Sequence, residues 1–200
     1  MIALIDYGSG NLRSVEKALT HIGAEVMRVD SPEKLSTADA IVLPGVGAFK
    51  DCADNLRNRD LWDPLQEFLR SGKPFLGICV GYQLLFEGSE ENPGTSGLGF
   101  FSGQVRRFST PQLKIPQIGW NTLETNDSLL WRGLPSDPYV FFVHSFFPAP
   151  NDSSVVSAKT AYGETFAAAA SKGNVHGVQF HPEKSQANGL RILQNFVESI

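Results

Sequence analysis

Phe75-Leu76-Gly77-Ile78-Cys79-Val80-Gly81-Tyr82-Gln83-Leu84-Leu85-Phe86 decides the reading of this chain. Its first four residues are apolar without alternation, the pattern of a strand covered on both faces. Gly77 and Gly81 bracket Cys79, two residues before and two after, and a helical pattern follows. Strand, sharp turn and helix with a nucleophile at the turn is the layout of a nucleophile elbow, here with Cys in place of Ser. The backbone crowds at such a turn, which is why glycine is needed on each side. A helix starting at Val80 favours a Cys79 thiolate through its dipole and free N–H groups. The Val80 N–H is then the first donor to a developing oxyanion. Taken alone, Cys79 also reads as a buried thiol packed between strand and helix.

The same apolar grammar recurs on the N-terminal side. Ile2 to Ile5, Glu25 to Asp30 and Ala40 to Leu43 read as strands, the last ended by Pro44-Gly45. Between them Leu12, Val15, Ala18, Leu19 and Ile22 recur at helical spacing up to Gly23, and Leu56 and Leu61 to Leu69 suggest further helical segments. Strands without alternation that are separated by helices predict a parallel sheet between two helical layers. From Leu98 onward, Gly, Pro, Asn and Asp punctuate shorter segments: Gly103 to Phe108, Gln117 to Leu123, Val140 to Phe147 and Val155 to Ala161. These read as antiparallel strands added to the sheet. Thr165 to Ser171 and Val175 to Phe180 form a hairpin around Lys172-Gly-Asn174, and Ser185 to Ile200 close the chain as an amphipathic helix. The expectation is one α/β domain over residues 1–200, with a largely parallel central sheet flanked by helices and additional antiparallel strands.

The length of 200 residues fits one domain with a large core. With 17 Lys+Arg against 21 Asp+Glu, the net charge of −4 offers no attraction to a polyanion, so nucleic-acid binding is disfavoured. No apolar run reaches the roughly 18 residues that span a bilayer. Met1 to Asp6 reads as a strand and not a leader, and two cysteines are too few for a disulfide scaffold. A cytoplasmic protein without membrane attachment is expected. Neither cysteine has metal-ligand spacing, and the chemistry below calls for no metal and no cofactor.

A cysteine nucleophile needs a base, and the base needs a group that fixes its tautomer. Phe180-His181-Pro182-Glu183 supplies both. Pro182 imposes an extended conformation on His181, so that His181 and Glu183 can project the same way past the strand end. Of the other histidines, His21 falls on a polar helix face, and His176 near the start of the last strand lacks a following acid. His144 lies in a strongly apolar strand, either as a satisfied core histidine or as a substrate contact. Leu43-Pro-Gly-Val-Gly-Ala-Phe49 is strand, Gly-x-Gly turn and helix, at the edge where open α/β sheets place ligands. A free N–H from Gly45 to Gly47 can be the second oxyanion donor; a tight turn or phosphate loop is the alternative. The dinucleotide fingerprint is incomplete, with Lys50 at its third glycine.

Six stretches in order carry a resemblance: Asp6-Tyr-Gly-Ser-Gly-Asn11, Pro44-Gly-Val-Gly-Ala-Phe49, Gly77-Ile-Cys-Val-Gly-Tyr-Gln83, Ile115-Pro-Gln-Ile-Gly-Trp-Asn121, Phe142-Val-His-Ser-Phe146 and Gln179-Phe-His-Pro-Glu-Lys-Ser185. Together they resemble the class I glutamine amidotransferases, and within them the members that supply ammonia for histidine biosynthesis. The resemblance implies a flavodoxin-like core, hydrolysis of L-glutamine and delivery of ammonia to a (β/α)8-barrel cyclase subunit in a heterodimer. By position, Cys79, His181 and Glu183 resemble the catalytic triad, and Val80, Val46 and Gly47 the oxyanion donors. Gly47, Gln83, Glu91, His144 and Ser145 resemble glutamine contacts, although Glu90 is adjacent to Glu91. Asn11, Trp120, Asn121 and Lys184 fall in segments that resemble a partner interface. Exposed aromatics for that contact are sought among Trp120, Phe141, Phe146 and Phe147. Tyr82 and Gln117 depart from the family's usual residues. The rival readings are a glutaminase serving a pterin, anthranilate or pyridoxal synthase, a cysteine peptidase, and a binding module that retains the fold alone.

Overall fold

The apolar runs of the N-terminal half lie side by side in a computed structural model that describes residues 1–200, apart from the side chain of Ser36. In order these are β1 (Ile2–Ile5), α1 (Leu12–His21), β2 (Val26–Val29), β3 (Ala40–Gly45), α2 (Phe49–Asn58), α3 (Trp62–Arg70), β4 (Phe75–Cys79) and α4 (Val80–Gln83). Every residue of β1, β3 and β4 is buried, as strands without polar alternation require. The other strands are β5 (Gly88–Ser89), β6 (Gly103–Arg107), β7 (Gln117–Thr122), β8 (Glu124–Thr125), β9 (Tyr139–His144), β10 (Phe146–Pro150), β11 (Val156–Tyr162), β12 (Glu164–Lys172) and β13 (Val175–Val178). The last helix is α5 (Gln186–Val197).

The main sheet runs β2-β1-β3-β4-β13-β12-β11-β8. Its first five strands are mutually parallel, and β12, β11 and β8 continue it antiparallel. The chain steps one way from β1 to β2 and the other way from β3 to β4. Right-handed crossovers therefore set α1 on one face and α2 with α3 on the opposite one. Helix α1 buries Val15, Ala18 and Leu19, and α5 packs on the same side with Ile192, Leu193 and Phe196. The strand order reverses between β1 and β3, and at such a switch point the loops at the carboxyl ends part into a crevice.

The antiparallel segments differ from expectation in where they pair. Only β8, β11 and β12 extend the main sheet; β10-β6-β5 and β7-β9 form two small sheets of their own. Val140 to Phe147 is two strands, divided at Ser145, and each pairs in a different sheet. Strand β3 also runs through Pro44-Gly45, because its pairing with β1 ends at Val42 and no neighbour on that edge needs the missing proline N–H. The helix after Cys79 is a single turn. Leu84, Leu85 and Phe86 are fully buried, and the N–H groups of Leu98, Phe101 and Gly99 take their carbonyls. With those acceptors used, the helix stops, and its dipole is much smaller than the sequence pattern implies.

Candidate active site

Cys79 ends β4 with φ 55° and ψ −111°, one of three non-glycine residues with positive φ among those described. Such a backbone stores strain of about 1–3 kcal/mol and persists only where its surroundings hold it. Here the surroundings are the two glycines. A Cβ on Gly77 would lie 2.7 Å from the Gly81 carbonyl oxygen, and one on Gly81 would lie 1.9 Å from that of Leu43. The elbow closes this tightly only without those side chains.

The candidate base lies just beyond the neighbouring strand. Strand β13 runs parallel to β4 with Val178 beside Ile78, so the residues just beyond it arrive next to Cys79. His181 is extended (φ −101°, ψ 97°), as the following proline demands, and its N–H donates to the Phe141 carbonyl at 2.9 Å. Ser185 Oγ donates to the His181 carbonyl at 2.7 Å and fixes the turn from the other side. His181 Nδ1 lies 2.9 Å from Glu183 Oε1, and the Glu183 side chain is fully buried. Burial works against a charged imidazole, yet hydrogen bonds to the Cys79 sulfur and Glu183 outweigh it and hold the His181 pKa up to about 10. One imidazole nitrogen is thus committed to the carboxylate, and the ring shares the cleft wall with the Cys79 sulfur.

Both groups open on one cleft of about 280 Å3, at the small end of the range for small-molecule sites. Val46, Gly47, Val80, Gln83, Glu91, His144, Ser145 and Lys184 line it with Cys79 and His181. Glu183 stands behind His181, away from the cleft. Glu91 rather than Glu90 reaches this wall: Glu91 Oε2 accepts the Phe49 N–H at 2.8 Å and caps α2, whereas Glu90 is exposed and pairs with Arg106. Gln83 donates its amide hydrogens to the Phe146 carbonyl at 3.0 Å and to Gln179 Oε1 at 3.1 Å, which leaves its own oxygen for a ligand.

The turn after β3 is held from beneath. The Val46 carbonyl accepts from Ser9 Oγ at 2.6 Å and Cys52 Sγ at 3.5 Å, while the Val46 N–H is turned to Ser9 Oγ at 3.5 Å. Peptide planarity then aims the Gly47 N–H away from Ser9. Ser9 and Cys52 carried no signal for this in the sequence. Gln179 lies just beyond β13, and the sequence marks it only as the first residue of the Gln179-to-Ser185 stretch. Its Nε2 lies 3.7 Å from Cys79 Sγ.

Outside the cleft, Trp120 is exposed, Asn11 is the N-cap residue just before α1, and the Asn121 amide donates to the Ala161 carbonyl at 2.9 Å. Asn121 therefore ties β7 to β11. Phe147 is buried, and Phe141 and Phe146 are partly covered. The exposed apolar residues on this side are instead Ile118, Trp120 and Tyr139.

His144 Nδ1 sits 2.8 Å from the Phe146 carbonyl, an acceptor only, so that nitrogen carries the proton. Burial lowers its pKa to about 4, so the ring is neutral. Gln117 lies 3.0 Å from Nε2 and satisfies a neutral ring with its amide nitrogen turned inward. His176 is also buried, bonded at Nδ1 to Ser171 Oγ at 2.9 Å, with its pKa lowered to about 4. Both rings stay neutral in the fold but take protons near pH 6.5 in the unfolded chain. Stability therefore falls as pH drops from about 6.5 to about 4, by up to about 3 kcal/mol for each ring. Melting curves across this window are expected to show the fall. In His176→Asn, which retains a partner for Ser171, the fall is expected to be shallower; an unchanged slope counts against it.

A family model described as glutamine amidotransferase class-I matches residues 3–200. The imidazole glycerol phosphate synthase subunit HisH of Gloeothece citriformis (strain PCC 7424) is 53% identical over 204 residues, covering 100% of this chain and 96% of the relative. That of Salinibacter ruber (strain DSM 13855 / M31) is 48% identical, covering 98% and 93%. Among solved structures, a crystal structure of a glutamine amidotransferase aligns over 100% of both chains with TM-score 0.79 at 20% identity. PurLQS from Thermotoga maritima aligns with TM-score 0.79 at 21% identity over 99% of this chain and 97% of that one. At such identities the solved structures speak for the fold, while the family model and the relatives span the sequence itself. The chain belongs to the class I glutamine amidotransferase family.

Proposed function

We propose that residues 1–200 act as one catalytic domain, the glutaminase subunit of an imidazole glycerol phosphate synthase. The observation that carries this reading is that Cys79 and His181 line one cleft, with the Glu183 carboxylate 2.9 Å behind the imidazole. The Cys79 sulfur attacks the side-chain amide carbon of L-glutamine. His181, protonated at neutral pH, gives its proton to the leaving ammonia and then draws one from the water that hydrolyses the thioester. Glu183 fixes the imidazole and stabilises its charged form. The tetrahedral oxygen is held by the Val80 N–H and by one amide of the turn; losing one such donor costs about 2.7–4 kcal/mol of barrier. Gly47, Gln83, Glu91, His144 and Ser145 bind the glutamine.

The ammonia passes to a (β/α)8-barrel cyclase subunit, which makes imidazole glycerol phosphate and an aminoimidazole carboxamide ribotide in the cytoplasm. The antiparallel register of β7 and β9 supports the docking surface. Ile118 pairs with Val143, Trp120 with Phe141 and Thr122 with Tyr139, so one face carries an apolar stripe from the cleft wall at Val143 out to Trp120 and Tyr139. An exposed patch of this kind marks an interface. Lys184, exposed beside the cleft, extends it, and Asn11 and Asn121 are assigned to the same interface by the segments in which they fall. Trp120→Asp is expected to weaken binding of the cyclase subunit by roughly 30-fold or more, as loss of a buried aromatic anchor does, with the melting temperature retained. Calorimetric titration measures this, and unchanged affinity excludes the face.

In the resting turn the Val46 N–H is turned to Ser9, so low activity is expected of the chain alone. Partner and ligand shift its population toward a state in which that amide meets the oxyanion. Glutamate release is measured for the chain alone and with the ligand-loaded cyclase subunit. A large stimulation is expected, and equal rates contradict the proposal.

A further inference from the structure

The polar chain behind Cys79 can be oriented atom by atom. It begins at the Phe146 carbonyl, which only accepts, so the Gln83 atom 3.0 Å away is the amide nitrogen. The same nitrogen lies 3.1 Å from the Gln179 side chain, which must present its oxygen there. The other end of the Gln179 amide is then its nitrogen, and it faces Cys79 Sγ at 3.7 Å. Neither amide can swing free: Gln179 is 0% exposed and Gln83 4%.

We propose that Gln179 is a further catalytic residue, whose amide N–H donates to the Cys79 sulfur and stabilises it as the thiolate that attacks and later departs. The inference rests on the reading of Cys79 as the nucleophile. A donor aimed at an anion favours the charged form, and the effect grows where water is excluded. Gln83 is the positioning residue, since its bond to Gln179 Oε1 keeps nitrogen rather than oxygen toward the sulfur. Because Gln83 also lines the cleft, occupation of the cleft and the state of the sulfur share one hydrogen-bonded chain.

Other groups also bear on this sulfur. His181, backed by Glu183, lies beyond β13; Tyr7 follows β1 and Cys52 sits on α2. His144, Glu91 and Lys184 stand on the cleft walls. All of them are retained when Gln179 alone is changed. Gln179→Met has similar length and no donor. Gln179→Glu retains an acceptor for Gln83 and replaces the donor at the sulfur.

The experiment uses the complex with the cyclase subunit and two readouts: glutamine turnover, and the pH profile of Cys79 alkylation by iodoacetamide, resolved by peptide mass. In Gln179→Met the profile is expected to move to higher pH by about one unit, and kcat to fall about tenfold or more with KM little changed. A merely structural glutamine would lower the melting temperature and leave the profile in place. Superimposable profiles with unchanged kcat overturn the proposal. Should Gln179→Met fail to melt cooperatively, Gln179→Glu answers by the same criteria. If wild-type Cys79 resists a glutamine-analogue electrophile and Cys79→Ala still turns over glutamine, the nucleophile assignment itself fails. If wild type passes that control and the variants do not shift, only the role of Gln179 is lost.

Discussion

His181→Asn is expected to lower kcat/KM for glutamine hydrolysis in the partner complex by roughly 10^4-fold or more, with the melting curve nearly unchanged. The size follows from three roles resting on one ring. In the proposed mechanism it stabilises the thiolate, protonates the leaving ammonia and activates water, and His144, the other imidazole on the cleft, is not placed to substitute. His144 lines the same cleft but is neutral, and its Nδ1 proton is committed to the Phe146 carbonyl. The His181 ring is held above neutrality, against its own burial, by Cys79 and Glu183, so it enters the reaction already carrying the proton that ammonia needs. Glu183→Gln tests the third member. An amide nitrogen facing Nδ1 reverses the tautomer and turns the lone pair away from the sulfur, so a loss of about 10^3-fold or more is expected. Retention of activity within tenfold in either variant contradicts the assignment.

Gly81→Ala is expected to be severely damaging to both fold and activity. Its Cβ would meet the Leu43 carbonyl oxygen at 1.9 Å, and that oxygen is backbone in a fully buried strand that cannot rotate aside. Either β3 separates from the elbow or the elbow shifts off β4, and both disturb the centre of the sheet. A cost of about 3 kcal/mol or more follows for overpacking against rigid backbone. For a chain of this size that corresponds to a melting temperature lower by about 10 °C, or to loss of soluble protein. Because Cys79 is two residues away, any folded Gly81→Ala protein is expected to have lost glutaminase activity as well. A variant with wild-type melting and wild-type rate would show that the turn is not as closely packed as its geometry states.

The parallel half of the fold was legible because burial on both faces leaves a plain mark, namely apolar runs without alternation joined by helical spacing. Cys79 and His181-Pro-Glu183 were legible for a related reason, since the glycines and the proline that shape their backbone are adjacent in sequence. Three features were less so. Val140 to Phe147 is continuous in hydrophobicity, and nothing in it marks Ser145 as the point where the chain leaves one small sheet for another. The single turn of α4 is ended by N–H groups that return from residues 98–101, a long-range event without local cause. The supports of the site are distant in sequence too: Ser9 and Cys52 beneath Val46, and Gln83 and Gln179 behind Cys79. Their side chains are ordinary in type, and only the fold gives them a partner.

The central claim is that the sulfur of Cys79, and not that of Cys52, is the nucleophile. Both thiols are buried and free. Cys52 is packed under the turn with its pKa raised by burial, whereas Cys79 opens on the cleft beside His181. The direct measurement is intact-mass and peptide-mass analysis of the partner complex after exposure to an electrophilic diazoketone analogue of glutamine. One adduct per chain is expected, on Cys79, absent in Cys79→Ala and strongly slowed in His181→Asn. An adduct on Cys52, or full glutamine turnover by Cys79→Ala, would contradict the account.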